Sequence, residues 1–445
     1  MALEHTAAPK FLSSWITRGS WAITDQALIS GSNLLVSLLL ARWLTAKEYG
    51  AYAIAFTLFM FIATLYNALL AEPMMLFGVS KYRESLSEYW SALVVSHWRL
   101  AAAASLALSS IVLATFIYGS HELAISLLGL VIAGPVLLLQ LLTRRIPYVK
   151  ADSRSSALAA AIYASLLVIL IVLLHDLYRV TLPLIWLIMG FSAFISSSWV
   201  VSRMRLPAGK QASPKLVTQV TADHWNYGRW GMMSSPMIWA SANMYFIYLS
   251  LGTGLEDSGA LRALLNFAMP LIQLNACLGN VLVPAIASSR NSPGLDRLIV
   301  KLTLYSVLLP IIAWPILGGF SGELLPLIYA DKYTSYASLL WVIGIVPIFN
   351  AAIVVLSAVF RAQEKPKVIF TAYVFSTIST LSVGLVLTMT WGLSGAVIGM
   401  CISYATLLMA LAYLYWRRSP GESPTAVEEL RPYLSRVETV SGMRP

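Results

Sequence analysis

Residues 19–56 read GSWAITDQALISGSNLLVSLLLARWLTAKEYGAYAIAF. From Gly19 to Arg42 this stretch is apolar apart from Asp25 and a few small polar residues. That matches the roughly 20 residues a helix needs to cross a hydrocarbon core about 30 Å thick. A second apolar run opens at Ala51, after a short polar connection. Within the first run Gln26, Ser30, Asn33 and Ser37 recur at steps of four, three and four, which is one face of a helix. The unit is a membrane helix with one polar face, joined tightly to another membrane helix.

The rest of the chain repeats the unit. Of its 445 residues 58% are apolar and 11% charged, outside the range of a soluble domain and enough for a dozen spans with short loops. Apolar runs fall at about 19–42, 51–76, 91–118, 123–142, 157–174, 183–202, 230–251, 260–287, 298–318, 339–360, 368–390 and 395–416. The first residues hold no short apolar core ending in a cleavage site, so the N-terminus is expected to be retained. Cys277 and Cys401 lie inside apolar runs, where packing is expected and not a disulfide or a metal site.

Twelve spans place both termini on one side. With that side cytoplasmic, 24 of the 30 Lys and Arg residues fall inside, including Arg144, Arg145, Lys150 and Arg154. Such a bias is the positive-inside rule, so the net charge of +10 is read as topology and not as a nucleic-acid surface. The expected organisation is a cytoplasmic N-terminus (1–18), a six-helix bundle (19–202), a polar cytoplasmic linker (203–229), a second six-helix bundle (230–416) and a polar cytoplasmic tail (417–445). The halves share a weak repeat. KEYGAYA follows the first span and EDSGALRA precedes the eighth, each followed by an Asn-Ala pair (Asn67-Ala68, Asn275-Ala276) and a proline (Pro73, Pro284). Two membrane halves of one design around a midplane site are common among secondary transporters.

Polar side chains in hydrocarbon need a partner or a watery cavity, so polar stripes point to a site. The first span carries Gln26, Ser30, Asn33 and Ser37; the seventh carries Ser234, Ser241, Tyr245 and Tyr248 on one face; the eighth carries Asn266, Pro270, Gln273, Cys277, Asn280 and Pro284. These are the expected cavity-lining positions, with interhelical adhesion as the alternative. Asp25, Glu72 and Arg99 are charges within spans. They are read either as cation sites or proton carriers, or as a structural pair of Arg99 with one of the two acids. Arg18, Arg229 and Lys301 at cytoplasmic span entrances are candidate contacts for a pyrophosphate, with snorkelling anchors as the alternative. Arg42 and Arg262 are read at outer span ends. No phosphate-binding loop, nucleophile motif or paired metal-ligand histidines occur, and no outer loop is long enough for a catalytic domain, so no enzymatic activity is expected.

The run from GSWAITDQALIS to KEYGAYAIAF, then NALLAEPMMLFG, GELLPLIYADKYTSYA and WGLSGAVIGMCIS resemble phrases of the polysaccharide-export flippases of the MOP superfamily. Thr45 stands where that family commonly has glycine. The resemblance implies an all-α integral membrane protein of about twelve transmembrane helices, in two pseudo-symmetric six-helix bundles of MATE/MOP type. It implies a flippase of the bacterial inner membrane. The cargo would be a polyprenyl-pyrophosphate-linked oligosaccharide for capsule, exopolysaccharide or O-antigen synthesis, moved by alternating access. Polysaccharide polymerase and chain-length proteins would be its partners. No cofactor is expected beyond a coupling proton or sodium ion at Asp25. A cation-coupled drug or metabolite extruder of the same superfamily is the alternative, and it would need an acidic pocket in place of a basic one.

Overall fold

A computed structural model describes the backbone of residues 7–178, 180–207, 212–288, 294–363 and 365–417, and their side chains except those of 7–19, 178, 280, 281, 284, 285, 287 and 288. The first expected bundle holds α1 (Ala7–Trp43), α2 (Ala46–Tyr66), a π-turn (Asn67–Ala71), α3 (Glu72–Val79), α4 (Leu86–Ile117), α5 (His121–Thr143), α6 (Ile146–Val149), α7 (Ser153–Tyr178) and α8 (Leu182–Arg203). The second holds α9 (Pro214–Gly252), α10 (Leu255–Ser288), α11 (Leu295–Gly319), α12 (Ser321–Tyr329), a 3-10 turn (Thr334–Tyr336) and α13 (Ala337–Ile343). It continues with α14 (Ile345–Ala362), α15 (Pro366–Ser379), a π-turn (Thr380–Gly384) and α16 (Leu385–Trp416). Among the described residues there is no strand.

Among the described residues ten segments are long and apolar enough to cross a membrane. One of them, Pro366–Trp416, is two passes. It breaks at Gly392, whose φ of 57° and ψ of −134° lie outside the helical region and suit a residue without a Cβ. The remaining pass is α9, kept outside the ten by polar residues such as Asn226, Arg229, Ser234, Ser241 and Asn243. The twelve helical passes expected from the sequence are therefore present.

Two boundaries differ from expectation. α1 extends back to Ala7, into the segment expected as a polar N-terminus. The linker expected at 203–229 is helical from Pro214 on, because proline is favoured in a first turn, where its missing N–H is not needed. The Ser213 hydroxyl caps this helix by accepting from the Leu216 N–H at 3.3 Å. Residues 208–211 and 418–445 lie outside the described residues.

Within the first half α5 packs on α4 and α8, and α7 on α1 and α8; in the second α14 packs on α10, α11 and α16, and α15 on α16. Across the halves α2 meets α9 and α10, α1 meets α10, and α4 meets α9. This seam between α1, α2, α9 and α10 has two ends. One carries Lys81, Arg144, Arg145 and Arg229 and is called the basic end below; the opposite end carries Arg42, Gly50 and Lys332.

Candidate functional site

At the opposite end the halves touch backbone to backbone. A Cβ on Gly50 would lie 1.7 Å from the Leu255 carbonyl oxygen, and one on Gly259 would lie 2.8 Å from the Ala46 oxygen. Only paired glycines let α2 and α10 cross so closely. Thr45 and Glu48 form a capping box that fixes the start of α2 at this crossing. Lys332 donates to the carbonyls of Arg42 and Leu44, and Arg42 donates to that of Leu327.

Just inside this crossing sits a closed hydrogen-bond ring. Ser37 Oγ donates to Asn266 Oδ1 at 3.1 Å, and Asn266 Nδ2 donates to Tyr49 Oη at 3.0 Å. Ser37 has a single proton, so Tyr49 must donate to Ser37 across their 2.8 Å contact. Asn266 also donates to Tyr329, which donates to the Ala263 carbonyl at 2.9 Å. Every member is satisfied, so Ser37 and Asn266 bind the halves together at this end.

At the basic end α9 docks on the first half at the π-turn. Pro73 has no N–H to offer the carbonyl of Leu69 four residues earlier, and His224 Nδ1 reaches that oxygen at 3.1 Å. The carbonyl can only accept, so Nδ1 carries the proton and Nε2 accepts from Tyr89 Oη at 2.7 Å. Alongside, Asp223 accepts from Lys81 Nζ at 2.6 Å and Tyr82 Oη at 2.5 Å. Gly228 permits the approach, since a Cβ there would stand 2.5 Å from the Ala68 oxygen.

Between the two ends, Gln26 is exposed and donates to the half-buried Ser30 at 3.0 Å, while Asn33 Oδ1 is buried without a partner among the described residues. Gln273 is half-buried. On α9, Ser234 and Ser241 bond back to their own helix. Tyr245 turns away from the seam: it is buried in the second half, 2.6 Å from Ser403, and its ring fills the space that Gly384 and Gly399 leave open. Cys401 is buried and Cys277 half-buried, and neither is in a disulfide. The side chains of Arg18, Asn280 and Pro284 lie outside the described residues.

The charges sort differently from the sequence expectation. Asp25 is buried and pairs with Arg144, not with Arg99: Arg144 Nη2 lies 2.9 Å from Oδ1 and 3.0 Å from Oδ2, with Tyr148 Oη donating to Oδ2 at 2.9 Å. Arg99 is exposed on α4, with no carboxylate within 4 Å among the described residues. Its face also holds the exposed Leu106 and Leu113, which marks the outer surface of the bundle and not the seam. Glu72 is exposed and accepts at 3.5 Å from Tyr227. Arg229 stacks on Trp230 and Lys301 is exposed on α11.

Arg262, expected as an outer anchor, instead points inward from α10. Its guanidinium carbon sits 4.9 Å from the Phe56 ring centre, and its Nε is buried without an acceptor among the described residues. Its place four residues before Asn266, on the same helix face, is the signal in the sequence for this orientation. An apolar cavity of about 460 Å³ lies apart from the seam, between α11, α14 and α16, lined by Ile299, Thr303, Leu304, Leu356, Tyr413 and Trp416. Among the described residues no three His, Cys, Asp or Glu side chains group to hold a metal ion.

No protein-family model and no curated protein matches the sequence. Solved structures do. An inward-facing multidrug resistance MATE family transporter of the MOP superfamily aligns with a TM-score of 0.73 at 13% identity, over 89% of this chain and 98% of that one. The lipid II flippase MurJ in an inward closed conformation aligns with a TM-score of 0.70 at 13% identity, over 90% and 87%. The eukaryotic MATE transporter AtDTX14 gives 0.65 at 15% identity, over 92% and 97%. At such identities the likeness is one of fold, and the fold is that of the MATE and MOP transporters.

Proposed function

We propose that the chain is a transporter of the MOP type that flips a polyprenyl-pyrophosphate-linked oligosaccharide, by alternating access, across a bacterial inner membrane. The basic end then faces the cytoplasm, with both termini, as the charge bias requires. The two halves would rock apart at one end at a time, with the sugars and pyrophosphate in the seam and the lipid tail in the bilayer. Polysaccharide polymerase and chain-length proteins would act downstream.

The observation that carries this reading is the charge of the seam. Both oxygens of Asp25 are occupied by Arg144 and Tyr148, while Arg262 has no carboxylate within 4 Å among the described residues. A half-buried guanidinium without an acid is suited to an anionic cargo such as a pyrophosphate. A cation-coupled extruder would need the reverse, a free acid in the pocket. Asp25 serves that reading only if it leaves Arg144, and it is then the place for a coupling proton or sodium ion. Deletion of the gene should abolish surface polysaccharide and accumulate its lipid-linked repeat unit. Unchanged polysaccharide, with loss of drug or cation efflux instead, would transfer the assignment to the extruder.

A further inference from the structure

The cluster Arg144, Arg145, Lys150 and Arg154 reads in the sequence as a topology signal, but its members do different things. Lys150 Nζ caps the Met204 carbonyl at 2.7 Å, and Arg154 lies over the Trp21 ring at 6.0 Å, one turn before Asp25. Arg144 holds Asp25 through three contacts of 2.9–3.2 Å. Arg145, its neighbour, is half-buried, and among the described residues its guanidinium donates to Met75 Sδ alone, at 3.3 Å. A thioether is a weak acceptor, and a guanidinium has five N–H donors in a planar fork. Asp25 and Glu72 are the carboxylates within electrostatic range of Arg145, and neither approaches it within 4 Å. An arginine placed next to a second arginine, partly buried and with a sulfur for its partner among the described residues, lacks the anion that usually accompanies it.

We infer that Arg144 and Arg145 form a diphosphate-receiving site at the basic end of α5, where the arriving headgroup takes Arg144 over from Asp25. The inference deepens the flippase reading and rests on it. A diphosphate has more acceptor oxygens and more charge than one carboxylate, so it bridges both guanidiniums where Asp25 reaches one. Tyr148, which now donates to Asp25, is placed to donate to the newcomer. Asp25 is therefore a stand-in for the ligand: it keeps Arg144 paired while the site is empty and competes with the headgroup for it.

Competition gives opposite signs to two substitutions. The test uses the full chain in phosphatidylcholine nanodiscs, with farnesyl diphosphate as the probe and farnesol and phosphatidylglycerol as competitors. Arg145→Gln should weaken binding about tenfold or more, Arg145→Lys should weaken it less, and Asp25→Asn should tighten it several-fold by releasing Arg144. Farnesol should not compete, and phosphatidylglycerol should compete poorly. The Lys variant keeps the charge and guards against misfolding of the Gln variant, with gel filtration as the check on both. If the wild type binds the diphosphate but Arg145→Gln binds equally well, or Asp25→Asn does not bind more tightly, this site is wrong and the flippase reading stands. Full displacement by phosphatidylglycerol would make the ligand the leaflet's own lipid and overturn the diphosphate assignment. A wild type that binds no polyprenyl diphosphate overturns the flippase reading itself.

Discussion

His224 on α9 donates through Nδ1 to the carbonyl oxygen of Leu69 at the π-turn, 3.1 Å away and across the seam between the halves. Pro73 creates the need for that donor, and Tyr89 holds the other ring nitrogen. His224→Phe keeps the ring volume but leaves Leu69 O and the Tyr89 hydroxyl buried without partners, each worth about 1–3 kcal/mol. A lower unfolding temperature in detergent is expected, with faster proteolysis of the segment between α8 and α9. An unchanged melting curve would mean that water replaces the ring at no loss.

The same contact makes the basic end sensitive to acid. Burial pushes His224 down to about 4, against the opposing pull of the Leu69 carbonyl and Asp223. Released from the clasp it would return to its ordinary value near 6.5 and bind a proton that the docked ring refuses. The clasp is thus intact above about pH 6.5 and is lost as pH falls toward 4. Asp223 is held below the usual carboxylate range: burial opposes this, but the Lys81 and Tyr82 hydrogen bonds outweigh it, so its contribution fails only at lower pH. Melting temperature should fall between pH 6.5 and 4 in the wild type and fall less in His224→Gln. Equal slopes would remove His224 from the acid response.

The sequence carried the passes because they follow from a one-dimensional quantity, apolar length. Even Gly392 lies in the gap between the last two apolar runs, 368–390 and 395–416. What it did not carry is pairing. Asp25 and Arg144 are 119 positions apart, and only the fold, with α1 packed on α7 and Arg144 reaching Asp25 from the end of α5, tells Arg144 from Arg99 as the partner. Pro214 reads as a breaker in the linker, although it sits where a helix accepts proline. The polar stripes divide for a similar reason. Ser37 and Asn266 close a ring with Tyr49, while Tyr245 faces Ser403, and helical spacing alone cannot tell a cavity from a neighbouring helix.

Glycine at the α2 and α10 crossing gives a sharp contrast. A Cβ on Gly50 would overlap the Leu255 backbone oxygen, which cannot rotate away as a side chain would, so Gly50→Ala must part the two helices. Overpacking of this kind is worth about 1–3 kcal/mol or more, and it would also stretch the adjacent Ser37, Tyr49 and Asn266 ring. Gly31 lies in the middle of α1, and a Cβ there would meet no atom within 4 Å, so Gly31→Ala should be neutral or stabilise by about 0.5–1 kcal/mol. Thermal unfolding should come at a lower temperature in Gly50→Ala and at an equal or higher one in Gly31→Ala.

Arg262 separates the cargo from the scaffold. It has no carboxylate within 4 Å among the described residues, so Arg262→Gln orphans no acid; what the scaffold loses is the contact over Phe56 and the hydrogen bond with Tyr49, a small fall in melting temperature worth about 0.5–1 kcal/mol. If an anionic headgroup meets this guanidinium in the seam, the variant should lose one charged hydrogen-bonding group, worth about 1.5–3 kcal/mol. That corresponds to a fall of roughly ten- to a hundredfold in headgroup affinity. Arg262→Lys should recover only part of it, since an ammonium cannot hold a phosphate bidentately. The parallel variant Arg99→Gln, on the outer surface of α4, should transport normally. Complementation of surface polysaccharide in a deletion strain reads all three. Full complementation by Arg262→Gln would leave the seam without its basic contact and favour a cargo that carries no phosphate.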